Sequence, residues 1–111
     1  MMKERASVEV ENLWQLSAVE AVNAVGSGRI RARDLIESSL ERIDRHDGWV
    51  RAFITVCAAS AREAADAADR AKRAGNARGP LHGLPIAIKD TTLTAGIRTT
   101  FGSPIYADHV P

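Results

Sequence analysis

The stretch GPLHGLPIAIKDT, residues 79–91, decides how the chain is read. Its centre, LPIAIK, is a short apolar run between turn-forming glycine, proline and aspartate, the pattern of a buried strand. Lys89 stands at the end of that run. Lysine is among the residues least often fully buried, so a lysine at the end of a buried strand calls for a partner or a function. Strand alternation puts Lys89 on the face of Ala87, opposite Ile86 and Ile88, and from there it can point into a cleft. A lysine amine ordinarily titrates near pH ~10.4. Apolar burial disfavours its charged form, which is how a lysine becomes a general base. The plain alternative is a strand-ending lysine that is exposed and solubilising. Asp90 is open between three roles: salt-bridge partner, turn former, or a group supporting Lys89.

Upstream of this stretch the pattern is helical. In LSAVEAVNAVGSG, Ser17 with Glu20 three residues later forms a capping box. Val19, Val22 and Val25, with Ala18 and Ala21, make an apolar stripe, and Gly26 and Gly28 supply a stop. A second helix is expected in RARDLIESSLERIDRHDG from the spacing of Leu35, Ile36, Leu40 and Ile43. Glu41 and Arg45 are placed as an i,i+4 pair, and Asp47-Gly48 signals a turn. AFITV, residues 52–56, is β-branched and aromatic, fitting a short strand or an extended connection. CAASAREAADAADRAKRAG is the clearest helix, dominated by alanine, the best helix former. Asp66 with Arg70 and Asp69 with Arg73 are favourably spaced pairs, and Gly75 ends it. Its narrow alanine face predicts close packing against another element. Beyond residue 76, glycine, threonine and β-branched residues predict strands and turns. The expected organisation is a flexible N-terminus over 1–12, a helical segment over 13–75 and an opening β segment over 76–111. The chain thus goes from helical to β-containing at about residue 76.

Composition narrows the function. Hydrophobic residues are 45% and charged residues 26%, ordinary usage for a water-soluble chain. The formal net charge is +1 and aromatics are 5%, so neither a nucleic-acid surface nor a membrane surface is expected. Cys57 is the single cysteine, which rules out a disulfide within the chain and suits a reducing compartment. The N-terminal MMKERASVEVENLW has charges without a following apolar region, unlike a signal peptide. No apolar run nears the ~20 residues of a membrane helix. A cytoplasmic protein is the expectation. His46 and His109 fall in expected loops without a spaced partner, so no metal site is expected. His82 reads as a hydrogen-bonded structural histidine near the lysine. Cys57 reads as a buried small hydrophobe. Gly79 and Gly83 are not a phosphate cradle, since no Gly-Lys-Ser/Thr follows and Pro80 and Pro85 lack N–H donors. Gly96, Gly102 and Pro104 suit turns. Trp14 and Trp49 are expected to cover seams between helices and sheet.

GPLHGLPIAIKDTTLTAGIRTTFGSPIYADHVP closely resembles the amidase signature family, as does the upstream SAVEAVNAVGSGRIRARDLIESSLERID followed by RAFITV and an alanine-rich helix. The specific portion is G-P-L-H-G-L-P-I-A-I-K-D. The resemblance implies a mixed-sheet α/β fold with helices on both sides, of which this chain supplies the N-terminal helices and first strands. It also implies cleavage of small carboxamides to acid and ammonia or amine, without metal or cofactor, by a triad of serine, cis-serine and lysine. Lys89 is then the triad lysine, accepting a proton from the bridging serine while the nucleophilic serine attacks the amide carbon. The family's two serines lie in a Gly-Gly-Ser-Ser-type stretch, and this sequence contains none. Ser38-Ser39 sits in an expected helix and Ser103 lacks a second serine, so neither is assigned as nucleophile. The expectation is an N-terminal fragment that holds the base without the nucleophile and is inactive alone. No direct nucleic-acid or membrane partner is implied. An unpaired edge strand makes homo-oligomers possible. Two rival readings stand beside hydrolysis: membership of an amidotransferase complex within the same family, and a non-catalytic helical interaction remnant.

Overall fold

The computed structural model describes residues 10–111. The expected flexible stretch 1–12 lies largely outside them. The order of elements is a 3-10 helix Val10–Gln15, α1 Ala18–Gly26, α2 Ala32–Val50, α3 Ala58–Arg73 and a second 3-10 helix Pro104–Tyr106. The chain divides into two compact units. One takes the described residues up to Arg51 together with Cys57–Pro85, and the other takes Ala52–Val56 with Ile86–Pro111.

The first unit is helical, and its local signals act as the sequence implies. Ser17 Oγ accepts the Glu20 N–H at 3.1 Å, and the Glu20 carboxylate accepts the Ser17 N–H at 2.9 Å, completing the capping box of α1. Past its end, Gly28 takes φ +79°, the left-handed conformation that glycine adopts at little cost. The buried face of α1 is Ala21, Ala24 and Val25, whereas Val19 is exposed. A 19-22-25 stripe advances by 300° at each step and drifts around the helix, while 21-24-25 stays on one side. Leu13, Ala21, Val25 and Leu35 form the core, with Leu16, Ile30 and Leu84 packed on it. The backbone of Gly83 also presses close. A Cβ there would lie 3.2 Å from both Ala32 Cβ and Val25 Cγ1, and φ is +85°.

α2 starts without a capping side chain of its own, since its N-cap is Arg31. The orphan donors are met from α3. Asp69, buried, accepts the Ala32 N–H at 2.7 Å through Oδ1 and the Arg33 N–H at 3.1 Å through Oδ2. Asp66 bonds Arg33 at 2.7 Å, and Glu37 bridges Arg33 at 2.6 Å and Arg62 at 2.8 Å. Asp66 and Asp69 therefore work between helices, not in the i,i+4 pairs that spacing suggests. Glu41 and Arg45 do pair, at 2.5 Å. α2 runs through Asp47-Gly48 to Val50, and the left-handed Arg51 (φ 55°) ends it. Trp14 donates its backbone N–H to Ser38 Oγ at 3.0 Å, and its ring carries the Arg42 guanidinium at 3.8 Å. Trp49 is exposed.

The α/β expectation is overturned. No strand is present among the described residues. A strand exists as one side of a hydrogen-bonded ladder, and the second unit contains no ladder among them. Its backbone bonds close turns, such as Lys89 to Thr92, Thr94 to Ile97 and Thr100 to Ser103, or make single cross-links, such as Thr99 to His109 and Gly96 to Pro111. Residues 84–89 belong to no helix and no strand. Ile86 and Ile88 are 81% and 51% exposed, so the apolar run does not form a buried strand. AFITV is likewise irregular.

Replacing Asp69 by Ala strands two helix-terminal N–H groups and should cost about 2 kcal/mol. Urea denaturation followed by helical circular dichroism checks this, and an unchanged midpoint would remove Asp69 as the cap. Glu37 supplies a pH signature. Hydrogen bonds from Arg62, then Arg33, lower its carboxyl from 4.5 to about 2. Because the folded group titrates below the unfolded one, its stabilisation is complete above pH 4.5 and is lost as pH falls towards about 2. These side chains are about a third exposed, so solvent screening keeps the effect small. Glu37→Gln should lower the urea midpoint slightly near neutral pH, with the deficit vanishing in strong acid. An equal deficit at both pH values would assign it to packing instead.

Candidate active site

The second unit builds a cleft of about 540 Å³ from its two strips of chain, residues 52–55 and 87–90. The walls are apolar through Phe53, Ile54, Ala87 and Ile88, and the polar groups on the lining are Thr55, Lys89 and Asp90. Lys89 is exposed, not buried as the strand reading expects. It lies on the cleft lining at the first position of a turn, where its carbonyl accepts the Thr92 N–H at 3.0 Å.

Asp90 ties its own segment to the loop at Thr100, and it forms no salt bridge among the described residues. Its Oδ1 accepts the Thr100 N–H at 2.8 Å, its Oδ2 accepts the Thr100 hydroxyl, and its carbonyl accepts the Phe101 N–H at 3.0 Å. The Thr100 hydroxyl, then the Thr100 N–H, hold the Asp90 carboxyl below the usual aspartate range. Thr100 Oγ1 in turn accepts the Gly102 N–H at 3.1 Å. Phe101 (φ 55°) and Gly102 (φ 71°) both take left-handed backbone conformations there. Thr99 and Thr100 are buried. Thr99 Oγ1 meets Thr94 Oγ1 at 2.9 Å, and its carbonyl accepts from His109 Nδ1 at 2.9 Å. Phe101, Tyr106 and His109 pack ring to ring, with centroids 5.2 to 5.9 Å apart. Arg98 donates to the carbonyls of Ala107 at 2.8 Å and Ile54 at 3.3 Å, tying one wall strip to the loop. Sequence reasoning does not single out Thr99 and Thr100. The available signal is a Thr-Thr pair set between the glycines at 96 and 102.

The other sequence candidates are structural. In the first unit, His82 Nδ1 accepts the Arg78 N–H at 3.0 Å and its Nε2 lies 2.8 Å from the Ala68 carbonyl, an arrangement that needs the proton on Nε2. Ser38 is buried under Trp14. Ser103 Oγ accepts the Ile105 N–H and caps the second 3-10 helix. Cys57 is exposed at the start of α3, not buried. His46 lies edge-on to Trp49. Among the described residues no group of three or more His, Cys, Asp or Glu is arranged to hold a metal ion, and no helix is long and apolar enough to cross a membrane.

A family model described as Amidase matches residues 34–111, a span that includes Lys89 and both strips of the cleft. The chain belongs to the amidase signature family. Its curated relatives include the A subunits of several bacterial glutamyl-tRNA(Gln) amidotransferases. The one from Anaeromyxobacter dehalogenans is 41% identical over 105 residues, covering 95% of this chain and 21% of that protein. Its counterpart in Desulforapulum autotrophicum is 50% identical over 85 residues, covering 77% of this chain and 17% of its own length. That of Salinispora tropica is 39% identical over 100 residues, covering 90% and 20%. The chain thus spans about a fifth of the length of these amidase-family relatives. The resemblance seen in the G-P-L-H-G-L-P-I-A-I-K-D block holds for the family, while the sheet it implies is not found among the described residues.

In this amidase-family chain the Asp90 tie should be visible at single-residue resolution. Asp90→Ala leaves the buried Thr100 N–H without its acceptor. Amide exchange at Thr100 and Phe101 should accelerate while the amides of α2 keep their protection. Unchanged exchange at Thr100 would show that the carboxylate does not hold the turn.

Proposed function

We propose that this chain is the lysine-bearing segment of an enzyme that cleaves a small carboxamide to an acid and ammonia, with Lys89 as its base. The observation that carries the reading is that the family match spans a lysine lining a cleft.

In this mechanism Lys89 Nζ takes the hydroxyl proton of a bridging serine, which takes the proton of the nucleophilic serine. The nucleophile's oxygen bonds to the amide carbon and the C–N bond breaks. The nitrogen leaves as ammonia, carrying the relayed proton, and water then hydrolyses the acyl ester. Both serines and the oxyanion donors belong to a Gly-Gly-Ser-Ser-type stretch that these 111 residues do not contain. The residues here supply the base and part of the cleft, so by themselves they should give no serine-dependent turnover.

A narrower version is favoured by the name the relatives share. In it the ammonia is not released but used to amidate glutamyl-tRNA(Gln), and the protein works within an assembly of different chains. Copurifying partner chains and Lys89-dependent amidation of glutamyl-tRNA(Gln) would support this version over simple hydrolysis.

Two measurements test the proposal. The coding sequence past Pro111 should continue in frame into a Gly-Gly-Ser-Ser-type stretch. In the protein so encoded, Lys89→Ala should lower kcat/KM for ammonia release by on the order of 1,000-fold or more, with the helical circular dichroism unchanged. Turnover that survives the substitution would remove Lys89 as the base.

A further inference from the structure

We infer that Asp90 and Thr100 form a clamp that positions Lys89 for proton transfer, an inference that rests on Lys89 being the base. Lys89 is exposed, and its segment belongs to no helix or strand that would hold it. A base is useful only if its nitrogen returns to one place within a fraction of an ångström. The backbone at 89–90 obtains its restraint from elsewhere. The Lys89 carbonyl is closed into a turn by the Thr92 N–H, and the next residue is fastened three times to Thr100 and Phe101, by two side-chain bonds and one main-chain bond.

The anchor is itself immobilised. Thr100 is 5% exposed and Thr99 1% exposed. Thr99 is held by Thr94 and His109, and Thr100 by Asp90 and Gly102. The ring packing of Phe101 on Tyr106 and His109 closes the same loop. The clamp therefore transmits the rigidity of residues 99–109 to the residue adjoining Lys89. Asp90 and Thr100 are positioning residues: nothing in the geometry asks either to exchange a proton with substrate.

The hydroxyl of Thr100 separates this role from simple packing. Thr100→Val keeps the shape and loses the donor to Asp90 Oδ2, whereas Thr100→Ser keeps the donor and loses a methyl group. In the full-length enzyme, Thr100→Val should lower kcat for ammonia release by on the order of 100-fold with little change in KM, and Thr100→Ser should recover most of it. A packing role predicts the opposite order, with Val near wild type and Ser impaired, and that result would overturn the clamp. Lys89→Ala is measured alongside. If it is inactive while Thr100→Val turns over normally, the clamp is wrong and the base assignment stands. If Lys89→Ala remains active, the base assignment fails and the clamp with it. Should Thr100→Val not fold, Asp90→Asn keeps the size and one acceptor while losing the carboxylate that receives the hydroxyl. A kcat depressed by about tenfold at unchanged KM supports the clamp, and wild-type kcat overturns it.

Discussion

The helical unit depends on a single carboxylate. α2 begins at Ala32 with an arginine in the capping position, whose side chain has no acceptor to offer the Ala32 and Arg33 N–H groups. Asp69 reaches across from α3 and takes two of them, at 2.7 and 3.1 Å. A charge-assisted bond to a helix N-terminus also meets the positive end of the helix dipole. Since the same residue lies in the last turns of α3, one interaction both starts α2 and sets where α3 crosses it. The Glu37, Arg33, Arg62 and Asp66 bridges follow from that register. The apolar core is small and built largely of alanine, valine and leucine, and it joins α2 to α1 and the first 3-10 helix.

The second unit is organised differently. Its large apolar side chains are mostly exposed, among them Ile86, Ile88, Leu93 and Ile105. Its buried positions are Thr99 and Thr100. Order there comes from polar ties between turns: Asp90 to Thr100, Thr94 to Thr99, and His109 to Thr99. Such ties are directional, so they hold particular backbone atoms in place even where little apolar surface is buried. That suits a segment whose task is to present one lysine at the edge of a cleft.

Legibility in the sequence follows the range of the interaction. The capping box at Ser17 and Glu20, the Glu41–Arg45 pair and the glycine stop after α1 are contacts within four residues, and all are readable. Asp66 and Asp69 are not, because the i,i+4 rule and the inter-helix role use the same residue type at the same spacing. Burial at the crossing decides between them. The turn signal at Asp47-Gly48 fails because a helix already under way tolerates one glycine at a cost of about 1 kcal/mol. LPIAIK has the composition of a buried strand, yet a strand is a relation between two segments and composition describes one. Of the site, Lys89 is readable and its exposure is not. Asp90 has three open roles in the sequence, and its bond to Thr100 is visible only in the structure.

The sequence by itself determined the family, the positions of the three helices to within a few residues, and the one lysine on which the chemistry is proposed to turn. These rest on residue order and local spacing, which the sequence contains in full. The tertiary structure alone decided that residues 84–89 form no strand, that Asp69 caps a helix 37 positions away, and that Asp90 is bound to Thr100, ten positions on. Each depends on which distant groups meet, and that is settled by the packing of the chain as a whole, not by the residues on either side.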